Sequence, residues 1–262
     1  MKKVYEKKSS LIIYLVLRGL VIVTGIRSVF RHDYESLFLC ILTLSLFLLP
    51  SFLERRLKIE IPSTMEIIIL CFIFAAEILG EIHNFYIIIP YWDMVLHTLN
   101  GFNCAAIGFA LVDLLNRSDQ FSFKLSPLFL AIVAFCFSMT VGVCWEFIEY
   151  TADQVGKLDM QKDFVVDHFS SVTLDETRQN VPVVVSDISD VIIVHSDGSE
   201  QTLGVGGYLD IGINDTMKDL FVNLIGAVVF SIIGFFYVKS RGKGKVASQF
   251  IPKVKTEEGG GA

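Results

Sequence analysis

The stretch Pro127–Glu149, PLFLAIVAFCFSMTVGVCWEFIE, runs nineteen residues before its first charged side chain, Glu146. About 20 consecutive apolar residues are enough for a helix to cross the hydrocarbon of a bilayer. No polar stripe recurs at helical spacing, so the segment reads as a membrane crossing and not as an amphipathic helix of a soluble domain. Ser126-Pro127 supplies a cap and a first-turn proline. The two carboxylates, Glu146 and Glu149, arrive only at the far end, one helical turn apart.

Working outward, the same pattern recurs at residues 10–30, 36–53, 63–82, 94–115 and 216–238. The expected fold class is therefore an all-α polytopic membrane protein, a six-helix transmembrane bundle. Composition agrees: 53% of the 262 residues are hydrophobic and Phe alone occurs 22 times. The net charge of −6 excludes the basic footprint that nucleic acid demands. Cys40, Cys71, Cys104, Cys136 and Cys144 all fall inside apolar runs without CxxC spacing, and read as small buried hydrophobes. The basic N-terminus before Leu11 resembles a signal peptide, but Arg18 and Arg27 interrupt the apolar run and no small-residue cleavage site follows. A retained first span is expected. Ser63-x-x-Glu66 has the form of a capping box, and Asp215 stands where it would cap the last helix.

Lys and Arg set the orientation. They cluster before the first span, at Arg55, Arg56 and Lys58, at Arg117 and Lys124, and at Lys239, Arg241, Lys243 and Lys245. The positive-inside rule then puts both termini in the cytoplasm. The expected organisation is helices 1–5 over residues 1–154, an acidic extracytoplasmic segment over 155–215, helix 6 over 216–238 and a basic, disordered tail over 239–262. The 155–215 segment carries eleven Asp/Glu against three Lys/Arg. Val181–Val185 and Val191–Val194 are β-prone, and Ser196-Asp197-Gly198-Ser199 is a turn signal, so a small β-rich insert is expected between helices 5 and 6.

The ionisable residues gather at one depth. Glu77, Glu81 and His83 end the third span; Asp93 and His97 begin the fourth; Glu146, Glu149 and Asp153 end the fifth; Asp215, Asp219 and Asn223 begin the sixth. Spacings of three and four put each set on one helix face. A charged carboxylate near hydrocarbon costs a few kcal/mol, and several together repel one another. Such a layer persists when cations neutralise it: a divalent metal, protons, or the side chains of Arg27 and Arg31. Taken singly, Asp215 and Asp219 read as helix-start acids, and His97 as an interface histidine. Taken jointly they read as a site. His97, Glu146, Glu149, Asp215 and Asp219 are the expected ligands of one divalent metal ion, and Asp93, Glu146 and Asp219 the expected catalytic groups, with Asp93 orienting the imidazole. One histidine among many oxygens suits Mn²⁺, Mg²⁺, Ca²⁺ and Zn²⁺ alike. Arg18, near mid-depth in the first span, is expected to pair with an acid such as Glu77.

At these same residues the chain resembles the YjdF-like group of bacterial inner-membrane proteins. Tyr91-Trp92-Asp93 with His97 and Gly101 is similar to that family's aromatic-Asp-x3-His-x3-Gly. Trp145-Glu146-x-x-Glu149 is similar to its Glu-x-x-Glu, and Asp215-Thr216-x-x-Asp219 followed by Gly226-Ala227 to its Asp-Thr-x-x-Asp and Gly-Ala. These pieces span residues 90–230. More loosely, Asp219-x3-Asn223-x2-Gly226 resembles the last helix of VanZ-like proteins. The chain departs from the YjdF pattern in its long 155–215 loop and in the spacing ahead of Asp215, so Asp210 is not carried over. The resemblance implies the site residues and an inner membrane, and no reaction.

Three functions compete on this sequence. The first is an enzyme whose metal acts on a lipid or lipid-linked headgroup at the outer face. The second is a cation- or proton-coupled carrier, for which Asn100, Asn103, Asp113 and Arg18 are the polar residues of the inner half. The third is a structural ion network beneath a cap that binds an envelope component.

Overall fold

The computed structural model describes residues 2–56, 59–116, 125–240, 247–251 and 253–254. Lys58, Arg117, Lys124, Arg241, Lys243 and Lys245, used above for orientation, lie outside these residues.

Eight helices dominate the described chain: α1 (Lys2–Arg31), α2 (Tyr34–Leu46), α3 (Leu49–Arg56), α4 (Ser63–Phe74), α5 (Phe85–Ile88), α6 (Trp92–Asn116), α7 (Pro127–Gly156) and α8 (Ile213–Lys239). Among the described residues, five stretches are long and apolar enough to cross a membrane: Lys8–Arg31, Tyr34–Arg56, Trp92–Asp113, Pro127–Gly156 and Ile213–Lys239. The sixth expected span, 63–82, is composite. Its α-helix ends at Phe74 and continues as a π-helix over Ala75–Ile82. His83 N donates to Ile78 O, five residues back, at 3.1 Å. Twelve α-helical residues rise only about 18 Å against a core of roughly 30 Å.

Local signals behave unevenly. Ser126 Oγ accepts from Phe129 N at 3.2 Å, as a cap should. The capping box at Ser63 does not form: the N-cap is Pro62, and the Glu66 carboxylate instead accepts from Ser10 Oγ of α1. Asp215 is not the cap of α8 either. It sits inside the first turn, while Asp210 Oδ2 accepts from Asn214 N at 2.9 Å. The Arg18 guanidinium donates to Tyr14 Oη at 2.7 Å, one turn back on its own helix, rather than to Glu77.

The chain divides into two compact units, Met1–Val143 with Asp219–Ala262, and Cys144–Lys218. In the first, Val21, Met65, Leu70, Ala105, Phe109, Leu130, Ala134 and Phe230 form one buried apolar core. Within the tail expected to be disordered, the described residues 247–251 and 253–254 are ordered. Lys253–Val254 (β8) pairs antiparallel with Ile59–Glu60 (β1), Ile251 is buried and the Phe250 ring meets Phe102 edge-on at 5.2 Å. The physical reason is the apolar pair Phe250-Ile251, which finds core to cover.

The second unit carries six short strands in three antiparallel ladders. β2 (Val165–Val166) pairs with β7 (Tyr208–Leu209), β3 (Phe169–Ser171) with β4 (Val183–Val185), and β5 (Ile192–Val194) with β6 (Glu200–Thr202). The β5–β6 connection is a hairpin whose turn includes Gly198 at φ 84°. The two valine-rich runs do not pair with each other; each finds another partner. Carboxylates tie this unit's loops: Asp153 accepts from Met160 N at 2.6 Å and Gln161 N at 2.9 Å, and Asp210 Oδ1 from Phe164 N at 2.8 Å. Lys218 Nζ stands 3.2 Å from the centroid of the Phe164 ring, a close cation–π contact.

Candidate metal centre

α6 and α8 bring the first three expected site residues together. Both helices belong to the first unit over the residues concerned. Two glycines let their backbones touch. A Cβ on Gly101 would lie 2.1 Å from the carbonyl oxygen of Asn223, and one on Gly226 would lie 2.0 Å from that of Thr98. Only glycine fits such an approach, the small-residue device of membrane helix pairs. Phe230 of α8 packs edge-on against Phe102 and Phe109 of α6, at 5.2 and 6.0 Å.

This contact sets the geometry one turn above. Asp93 and His97 are four apart on α6, with His97 Nε2 3.6 Å from Asp93 Oδ1. The same nitrogen lies 3.8 Å from Asp219 Oδ2 of α8. Both distances are too long for hydrogen bonds. They do match two ligand atoms of one ion: atoms each about 2.1 Å from a metal, subtending 90° to 180°, stand about 3.0 to 4.2 Å apart. One donor atom from each of Asp93, His97 and Asp219 falls within 4.8 Å of the others. His97 and Asp219 are buried, and Asp93 sits at the rim with 34% of its side chain accessible.

Asn223 stands one turn beyond Asp219 on α8 and is only 1% exposed. Its Nδ2 faces the soft acceptor Sδ of Met139 at 3.6 Å, and among the described residues its Oδ1 has no hydrogen-bond partner. Gly142 of α7 makes room for the amide, since a Cβ there would lie 2.7 Å from Nδ2. Leaving a buried amide oxygen unsatisfied costs about 1–3 kcal/mol. Beside it, Ser138 Oγ donates to Gly101 O at 2.7 Å.

The remaining expected ligands belong to the second unit. Glu146 and Glu149 are both buried on one face of α7, and Glu149 Oε1 accepts from Trp145 Nε1 at 2.8 Å. Asp215 is buried with Oδ2 accepting from Lys162 N at 2.9 Å, which commits it to holding the loop. Arg27 and Arg31, expected as counter-cations, are exposed. Sequence reasoning named Asn223 only as a companion of Asp219. Its four-residue spacing was visible, but not the orphaned oxygen, which depends on glycines of two other helices.

No solved structure matches this chain. An uncharacterised protein of Thermotoga maritima is 27% identical over 106 residues, covering 40% of this chain and 53% of that protein. The match thus spans about half the length of that relative. The family model described as "Predicted membrane protein (DUF2238)" matches residues 11–240, which takes in every candidate site residue and all but the first residues of the first span: the chain belongs to this family of membrane proteins.

Proposed function

We propose that the protein holds one divalent cation between α6 and α8, with His97 and Asp219 as ligands and Asp93 as a third ligand or as the group that orients the imidazole. The observation that carries this reading is the His97 nitrogen standing 3.6 and 3.8 Å from two carboxylate oxygens inside a membrane protein. An imidazole and carboxylates held at that spacing in low dielectric are poised for a cation, which offsets the cost of burying the charges. Such a cation would polarise a phosphoryl or acyl oxygen or activate water. On the positive-inside reading, the cluster lies near the outer face of an inner membrane, which suits a lipid or lipid-linked headgroup as substrate. The likeness to the YjdF-like group supports the same residues. The six-crossing count, with 63–82 as a composite third span, belongs to this proposal.

The test is metal content. Protein purified in detergent should carry close to one equivalent of a divalent metal by elemental analysis. His97→Ala and Asp219→Asn should each lose it while keeping the elution profile of a folded protein. Wild-type protein free of metal, and unable to take up Mn²⁺ or Zn²⁺, overturns the reading.

One observation favours a carrier instead. Asn103, Asp113, Ser138 and Ser231 are buried in the inner half, and Asp113 lies twenty residues beyond Asp93 on α6. That is about 30 Å along the helix, a full membrane thickness. Cation-dependent uptake into vesicles, abolished by Asp113→Asn and without stably bound metal, would favour this second reading.

A further inference from the structure

We infer that Asn223 is a fourth ligand of the cation, and that the site is built from two facing chelating pairs, Asp93/His97 on α6 and Asp219/Asn223 on α8. This inference rests on the metal reading above and names a residue that reading does not use. Each pair is spaced four residues, the spacing that sets two donors on one helix face to share one ion. The facing register is fixed by close backbone contact: Gly101, one turn beyond His97, lies against the carbonyl of Asn223, one turn beyond Asp219. Opposite Asn223, then, α6 presents no side chain, and on the α7 side Gly142 leaves the amide room.

The amide itself points to a ligand. Asn223 is 99% buried, its nitrogen is placed against Met139 Sδ, and its oxygen has no hydrogen-bond partner among the described residues. A buried polar atom without a partner is rare in a packed interior. A neutral amide oxygen is a hard donor that Ca²⁺, Mg²⁺ and Mn²⁺ accept, as they accept backbone carbonyls. Asn223 would supply coordination without adding a third negative charge to the two aspartates. The resulting set, one nitrogen and three oxygens, selects hard divalent cations over the softer ions that sulfur-rich sites take.

The experiment is a Mn²⁺ titration followed by electron paramagnetic resonance, on wild-type protein and on Asn223→Leu, Asn223→Ala and Asp219→Asn, with thermal unfolding recorded in chelator. Losing even an outer partner of a metal site weakens binding about 10–100-fold. Asn223→Leu and Asn223→Ala should therefore each weaken Mn²⁺ binding by at least about tenfold. In chelator, Asn223→Leu should unfold at or above the wild-type temperature, because it removes an unsatisfied oxygen and keeps the branched shape. A merely structural amide would give the reverse pattern, lower unfolding temperature with unchanged affinity, and overturn the inference. If Asn223→Leu fails to fold, Asn223→Ala decides by affinity alone. Wild-type affinity in the Asn223 variants, with binding lost in Asp219→Asn, rejects Asn223 as a ligand and leaves the metal reading standing. No Mn²⁺ bound by wild type rejects both.

Discussion

At the scale of single residues, carboxylates that feel one another's charge do opposite jobs. Asp210 is half-buried, and burial pushes its carboxyl up, but hydrogen bonds from Phe164 N, Asn214 N, the Asn214 amide and Gly212 N outweigh that and hold it below the usual range. A carboxyl lowered by folding adds stability that is whole above the ordinary Asp value near 3.9 and fades as acid carries the pH down through the native value. Asp210→Ala should speed amide exchange at Phe164 and Asn214 about tenfold at pH 7, or about 1.4 kcal/mol. That gap should narrow when protection is read by acid-protease digestion below pH 4. Asp163 has the opposite sign: burial first, then Asp159, Asp210 and Asp153, raise its carboxyl. Its contribution is favourable below the ordinary value and turns to repulsion as pH rises through the native one. Asp163→Asn should therefore slow exchange slightly at neutral pH, and added salt should shrink the part of that gain that comes from the neighbouring carboxylates. In the candidate site, the sequence made Asp93, His97 and Asp219 legible because four-residue spacing is a local property. The orphaned oxygen of Asn223 was not, since it is a consequence of Gly101 and Gly142, which lie 122 and 81 residues away in the chain.

At the scale of elements, the α6–α8 contact decides whether the site exists. Adding a methyl at Gly226 drives a carbon to 2.0 Å from a backbone carbonyl, where nothing flexible can yield. Overpacking of a tight interior typically costs about 1–3 kcal/mol. Gly226→Ala should cost at least that in thermal unfolding, and should lower metal uptake by forcing Asp219 away from His97. Gly19→Ala on α1 is the control: nothing lies within 4 Å of the added carbon, so it should leave both stability and metal uptake intact or slightly improved. Equal effects of the two substitutions would mean that the helix contact does not position the proposed ligands. The long apolar helices were readable from hydropathy because backbone hydrogen bonding in lipid leaves the chain few alternatives. The π-helix at Ala75–Ile82 was not, because a shift from i→i+4 to i→i+5 bonding leaves no mark on composition. The β1–β8 pairing was equally hidden, since it joins residues nearly two hundred positions apart.

For the whole molecule, the open quantity is the number of crossings, and it turns on the composite helix. Five stretches of the described residues meet the length and apolarity of a span. Taken alone, they would leave the two termini on opposite faces. Adding α4 with its π-helix makes six and returns both termini to one face. Charge supports six: Arg55 and Arg56, ending the second span, fall on the side of the N-terminal lysines in either case, but Lys239, ending the last span, does so only if 63–82 crosses. Glu77 and Glu81 in the π-helix then reach the face opposite Arg55, where acids cost little in the orientation rule. In a background with the five native cysteines replaced, Lys3→Cys and a cysteine appended after Ala262 should both react with a membrane-impermeant maleimide only after permeabilisation. Ser186→Cys, exposed in the second unit, should react in intact cells. Labelling of Lys3→Cys and the appended cysteine from opposite sides would remove the third crossing. The π-helix would then be a re-entrant element, and Glu77 would sit on the same face as Arg55.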